Sequence, residues 1–315
     1  MISWKKKNLS TGLLFFSCLL PTLLSAECLA ETKKMISEKY LVSFKTKKST
    51  CILRVNDLHG ADSTLADLRT ISMGYNSTAF LENGQNKVEV LMGPMDHTDP
   101  ETLFRDSECT VSISKDNPDQ SIEVANFIMN VNDNNKISAA DSVNHTYSNQ
   151  GKSFYEGYSN NPNDFGLYKL ESNIFIKGLP KWSWVDATPV TENDLSKIRA
   201  AYEKIWKLMY DRDIEGLINI SRISIEELAY AEGASQKLIF MSTDLPQNVA
   251  NNNLRAMPID WKKYRLKTYR GGRLFRMTVG FFENSPLKMM NADGKAVYAY
   301  APYFSMIDGK VVLVR

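Results

Sequence analysis

His97 sits in the run Asp96–His97–Thr98–Asp99–Pro100–Glu101, which gathers an imidazole and three carboxylates in six residues. Such donors suit a divalent cation. No second histidine lies at ligand spacing, so a solvated acidic loop is expected instead. Asn130, Asn132, Asn134 and Asp141 follow the spacing of a calcium loop loosely. Its first position should be Asp, and Asn135 stands where the sharp turn needs Gly. No metal and no cofactor is therefore expected. His59 lies in a turn before Gly60, and His145 lies in a polar loop. The chain has no Gly-x-Ser-x-Gly elbow, no His-Glu-x-x-His, no phosphate-binding glycine loop and no Cys-x-x-Cys. Glu226 and Glu227 are neighbours on a helix, about 100° apart around its axis, which suits a surface better than acid–base work. No residue is assigned a catalytic role.

The cysteines point to a compartment. Lys5–Lys6–Lys7 precede an apolar run from Leu13 to Leu24, followed by Ser25–Ala26. This order describes a cleaved secretory signal within residues 1–30. The run is short for a membrane span and Pro21 interrupts it. Glu27 before Cys28 does not fit a lipid anchor, and no other run is apolar enough to span a membrane. Cleavage after Ala26 leaves Cys28, Cys51 and Cys109; cleavage after Ala30 leaves the last two. A Cys51–Cys109 disulfide is expected in an oxidising compartment, against the alternative of two buried thiols. The protein is accordingly expected in the periplasm or secreted.

Two domains would position these residues. Residues 31–189 read as an antiparallel β-sandwich. Strands are expected at Tyr40–Phe44, Thr50–Val55, Asn76–Leu81, Lys87–Met92, Cys109–Ile113, Ser121–Val131, Phe154–Tyr158 and Leu167–Ile176. Asn83–Gly84 predicts a hairpin between the third and fourth. The loop Ser159–Asp164 and the polar segment Asn132–Gln150 have the length of binding or mobile loops. Trp182 and Trp184 either cover the junction between the halves or form an exposed binding surface.

Residues 190–315 read as α+β, helices followed by an antiparallel meander. Thr191 and Asp194 predict a capping box. Leu195, Ile198, Tyr202, Ile205 and Met209 then recur in steps of three and four, one apolar helix face. Asp213 caps a second helix, Ser224 with Glu227 a third, and Gly233 ends it. Glycine turns at Gly271–Gly272, Gly294 and Gly309 separate the strands behind.

Charge is uneven along the chain. Between Glu82 and Asp133, eleven acids face three bases. Between Leu254 and Arg276, eight bases face one acid. Lys262, Lys263, Arg265, Lys267, Arg270, Arg273 and Arg276 are the candidate partner-binding residues. They either dock onto the acidic half, meet an external partner, or form a solvated edge strand. An exported protein is not expected to bind nucleic acid.

Helices first and meander behind, with Tyr202, Trp206 and the Asp213 step, resemble the α+β cone fold of scytalone-dehydratase-like proteins. The resemblance implies a pocket in the cone's mouth, with Tyr202, Asp211 and Arg276 as candidate lining. Enzymes of that family use a pocket His or Asp–His pair, and all three His of this chain lie in the other half. In plan, an export signal, a disulfide and opposed charges resemble the periplasmic immunity proteins that block bacterial toxins. The expected function is therefore non-enzymatic binding of another protein. An enzyme or small-ligand carrier using the cone, or an envelope structural or adhesin-type protein with a long unpaired edge strand, are the alternatives.

Overall fold

The computed structural model describes residues 36–64, 66–140, 144–145 and 155–315. The expected signal segment and Cys28 lie outside the described residues. The first part of the chain is built of antiparallel strands: β1 (Lys39–Lys47), β2 (Thr50–Val55), β3 (Leu58–Asp62), β4 (Ile71–Asn76), β5 (Gly84–Gly93), β6 (Glu108–Asp116), β7 (Ser121–Val131), β8 (Ile137–Ala139), β9 (Asn144–His145), β10 (Tyr155–Tyr158) and β11 (Tyr168–Ile176). One sheet runs β4-β1-β6-β7-β8, with β9 also beside β7; the other runs β10-β11-β5-β2-β3. Period-two alternation sends Tyr40, Val42 and Phe44 of β1, and Cys109, Val111 and Ile113 of β6, into the same core as Cys51, Leu53, Val88 and Val90 of the second sheet. The outer strands are short, six residues in β4, five in β3 and four in β10. Short outer strands are one way in which sheets limit edge-to-edge pairing.

Cys51 and Cys109 are both fully buried and form a disulfide, with Cα atoms 6.0 Å apart. The bridge ties β2 of one sheet to β6 of the other.

The hairpin expected at Asn83–Gly84 is absent from the described residues. β4 ends at Asn76, and Thr78–Phe80 form a 3-10 turn instead of a strand. The Thr78 hydroxyl accepts the Tyr40 N–H at 2.8 Å, and Ser77 N–H donates to Tyr40 O at 2.9 Å, which turns the chain away. Asn83 binds Leu179 instead, donating to its carbonyl at 2.7 Å and accepting its N–H at 3.0 Å. β5 pairs with β11 and β2. From Val88 to Gly93 it is buried, so its backbone N–H and C=O groups need a strand partner along each edge.

Five helices follow: α1 (Leu195–Asp211), α2 (Ile214–Ile220), α3 (Arg222–Glu232), α4 (Gln236–Ser242) and α5 (Leu245–Ala250). The Thr191–Asp194 capping box is present in both directions. Ile198, Tyr202, Ile205 and Met209 are the buried face of α1. Gly233 ends α3 in the left-handed conformation, φ 63°. Ser224 does not cap α3. Only Ser221 separates α2 from α3, so the helix starts early and Ser224 lies buried inside it.

The C-terminal strands are β12 (Arg255–Ala256), β13 (Arg265–Tyr269), β14 (Leu274–Thr278), β15 (Leu287–Met290), β16 (Ala296–Tyr300), β17 (Phe304–Ile307) and β18 (Lys310–Leu313). The hairpins β13–β14, β15–β16 and β17–β18 form at the glycine turns. They make two small sheets rather than one meander, β12-β15-β16 and β13-β14-β17-β18. Pro302 lies between β16 and β17 with no N–H to carry the ladder on.

β14 alternates between two cores. Phe275 and Met277 face α1, with Tyr202 and Phe304. Leu274 faces Trp182, Trp184, Leu58 and Ala79 of the first part of the chain. Both indoles are buried there, Trp182 donating to Leu81 O at 2.9 Å and Trp184 to Ala79 O at 3.3 Å. They cover the junction. The described residues belong to one compact unit, and none of their helices is long and apolar enough to cross a membrane.

Candidate functional site

The basic stretch is divided among three places. Lys262, Lys263 and Arg265 are exposed, with Arg265 bonded to the carbonyls of Lys262 and Tyr264. Arg270 and Arg273 point across the junction to Glu82; Arg273 reaches it at 2.8 and 2.7 Å and also donates to Val185 O at 2.6 Å. Arg270 adds a bond to Asn56 Oδ1 at 2.7 Å. Lys267 and the buried Arg276 both pair with Glu283. Burial alone would raise the Glu283 carboxyl. The Arg276 charge, with bonds from Lys267, Tyr269 and Arg276, outweighs it and holds Glu283 at about 2.

The three residues expected in a cone pocket do not converge. Tyr202 is fully buried, accepts the Met277 N–H at 2.9 Å, and packs its ring 4.8 Å from Phe304. Burial raises its phenol well above the ordinary value. Arg276 precedes Met277 on β14 and so faces the opposite side, with its guanidinium 4.4 Å from the Tyr303 ring. Asp211 ends α1 in solvent, bonded to Lys207 at 2.5 and 2.6 Å.

A cleft of two chambers opens elsewhere, over the outer face of β2, β5 and β11. Strand alternation puts Ile52, Arg54, Lys87, Glu89 and Leu91 on that face, opposite the core set. One wall is the loop 159–167, which carries Asn161, Asn163, Phe165 and Leu167. The other is the turn after β14, which carries Gly280, Phe281, Phe282 and Glu283. The apolar chamber measures about 340 Å³ and is lined by Ile52, Leu167 and the three phenylalanines together with Thr50, Thr64, Arg69 and His97. The polar chamber measures about 240 Å³ and includes Arg54, Asp57, His59 and Lys267. Phe165 and Phe281 belong to both, and their rings meet edge to face at 4.9 Å.

The walls are anchored by ion pairs. Asp164 is fully buried and pairs with Arg54, and Ser159 Oγ donates to it at 2.6 Å. Burial works to raise this carboxyl; the Ser159 and Arg54 contacts overcome that and keep it below its ordinary value. Lys87 bridges Asp57 at 2.5 Å and Glu89 at 3.2 Å. His59 meets Asp62 at 2.7 Å. Glu283 fixes the opposite wall through Lys267, Arg276 and Tyr269 Oη, the last at 2.5 Å.

Two features mark this cleft. Phe165, Phe281 and Phe282 are 46%, 36% and 51% exposed and run on from His97, whose ring is 6.4 Å from Phe165. Their exposure leaves apolar surface in water beside an apolar hollow. Four lining residues also hold left-handed backbone without being glycine: Asp57 (φ 68°), Arg69 (φ 50°), Phe165 (φ 56°) and Glu283 (φ 49°). For a bulky residue such as Phe165 this is strained, and strain of this kind gathers at ligand sites. Of this cleft, the sequence marks only the loop Ser159–Asp164, part of one wall, by its length; the pair Phe281–Phe282 in a short polar turn and Phe165 beside Gly166 are the other usable signals.

Among the described residues, no group of three His, Cys, Asp or Glu side chains is placed to hold a metal ion. No protein-family model, curated protein or solved structure matches the chain.

Proposed function

We propose that this is an exported, non-enzymatic protein that binds another protein, and that the partner seats on the Phe165–Phe281–Phe282 rim of the cleft. The observation that carries the reading is this rim, three exposed rings beside an apolar hollow of about 340 Å³, held by a strained, ion-paired frame. Aromatic side chains around a desolvated pocket are typical anchors of protein interfaces. Four of the seven basic residues, Lys267, Arg270, Arg273 and Arg276, serve the chain itself through Glu82 and Glu283, which favours the cleft over β13–β14 as the partner surface. Export is supported by the N-terminal pattern Lys5–Lys7 and Leu13–Leu24 and by the buried disulfide. In this reading residues 31–189 form a sandwich domain and 190–315 a cone-like α+β domain that holds one wall of the cleft. Neutralising a toxin in the periplasm is the form of binding that this plan fits.

The test is capture from the native envelope fraction with wild-type protein and with F165A/F282A. A partner held by the wild type, lost from the variant, and forming a defined complex when both are purified supports the proposal. A partner held equally by both, or none held by the wild type, overturns it.

A further inference from the structure

The charge of the cleft's occupant follows from which of the cleft's own charges are already neutralised. In the polar chamber Arg54 pairs with Asp164, Lys87 with Asp57 and Glu89, Lys267 with Glu283, and His59 with Asp62. A ligand charge placed there would compete with pairs already formed. The apolar chamber differs. Its one charged lining residue is Arg69, and no carboxylate lines it. Arg69 Nε donates to Met95 O at 3.1 Å, and among the described residues the guanidinium has no ion pair. Asp96 lies close enough for its field to reach Arg69, but its side chain is bonded to Thr98 N at 2.9 Å and Thr98 Oγ1 at 2.7 Å. The hydroxyl of Thr50 donates to Met95 O at 3.2 Å, and that of Thr64 donates to Asp62. Arg69 is thus the one arginine or lysine among the residues lining a hollow formed with Ile52, Leu167 and three phenylalanines, and its Nε bond to Met95 O leaves the two terminal nitrogens without an ion pair among the described residues.

We infer that the segment accepted by the cleft carries a bulky apolar side chain with a carboxylate beside it. The apolar group fills the chamber against Phe165 and Phe281. The carboxylate meets the two terminal nitrogens of Arg69, whose planar fork matches a carboxylate's two oxygens. The low-dielectric lining strengthens that pair relative to one in open water. The inference rests on the protein-binding reading and adds the sign and placement of the partner's charge.

The probes are N-acetyl-phenylalanine, which has a carboxylate beside an aromatic side chain, and its neutral primary amide. Each is titrated into the purified protein and followed by amide chemical shifts. The acid should bind roughly tenfold more tightly than the amide, the size of one charge-assisted hydrogen-bonded pair. Arg69→Met should remove that preference, and F282A should weaken both probes. A salt series on the wild-type protein reads the same charge without any variant, and added salt should weaken the acid alone. Equal affinity for acid and amide, no binding of the acid, or a preference that survives both Arg69→Met and high salt overturns the inference. Should the acid show its preference while envelope capture ignores F165A/F282A, the protein-binding reading fails and the charge assignment stands. Capture that needs the phenylalanines, with acid and amide bound alike, removes the charge assignment only.

Discussion

Arg273 grips Glu82 with both terminal nitrogens, Nη1 at 2.8 Å from Oε2 and Nη2 at 2.7 Å from Oε1, across 191 residues of sequence. Arg270 reaches the same carboxylate from the turn before β14. The contact is sheltered, with the Glu82 side chain 11% exposed. Glu82→Ala would leave both guanidinium groups without the carboxylate they share, that of Arg273 over the Trp184 ring. Loss of one partner from such a pair costs on the order of 2–4 kcal/mol. Urea unfolding should show that loss. Indole fluorescence from Trp182 and Trp184 should change together with the far-ultraviolet circular dichroism, since both indoles sit at the joint. A cost under about 1 kcal/mol, within reach of a surface pair, would mean that the clamp holds nothing.

The disulfide acts on the unfolded chain. Cys51 and Cys109 are 58 residues apart in sequence. In the chain-entropy model, a loop of that size is worth about 4 kcal/mol. C51A/C109A should lower the urea midpoint accordingly. The slope of the transition should steepen, because an uncrosslinked chain exposes more surface on unfolding. An unchanged midpoint would show that the bridge constrains little.

Glu283 makes the turn 280–283 sensitive to acid. Its carboxyl falls from an ordinary 4.5 to about 2 in the folded chain. A depressed folded value means that the unfolded state binds the proton more readily. The group's stabilisation is therefore complete above about pH 4.5 and lost as pH falls towards about 2. Wild type should exceed Glu283→Gln by up to about 3 kcal/mol at neutral pH. The gap should close through that acid window. A gap that stays constant from pH 6 to pH 2 would assign the effect to packing rather than to charge.

Local signals carried much of the fold. β2, β7 and the buried face of α1 lie where their periodicity puts them, and the Thr191–Asp194 box caps its helix. These elements bury one regular face, so the pattern is complete within the element. The Asn83–Gly84 hairpin failed because β5 found its partners in β2 and β11, a pairing settled by the buried strand's need for a partner along each edge and not by the turn. Thr78 and Asn83 were claimed by Tyr40 and Leu179, 38 and 96 residues away. The cleft was illegible for the same reason. Phe165, Arg69 and Phe281 come from three distant stretches and meet only once the second sheet and the turn after β14 are in place. The basic stretch was visible as composition, but β13–β14 alternation and the nearby Glu82 and Glu283 decided which members face solvent.

Phe165 separates stability from binding. Its backbone is left-handed at φ 56° and its ring is 46% exposed. Phe165→Gly relieves a strain of about 1 kcal/mol and loses an edge-to-face contact with Phe281 of about 0.5–1.5 kcal/mol. The two offset, so the melting temperature should stay close to wild type. Phe165→Ala loses the ring and keeps the strain, so it should melt about 2 °C lower, in keeping with about 1 kcal/mol in a chain of this size. Both variants remove the ring shared by the two chambers and should bind partner and N-acetyl-phenylalanine at least tenfold more weakly. Thermal melts read the first effect and titration the second. If the glycine variant binds like wild type, the ring is not an anchor. If it melts as low as the alanine variant, the backbone at 165 stores no strain, and the residue's exposure has to be explained by binding alone.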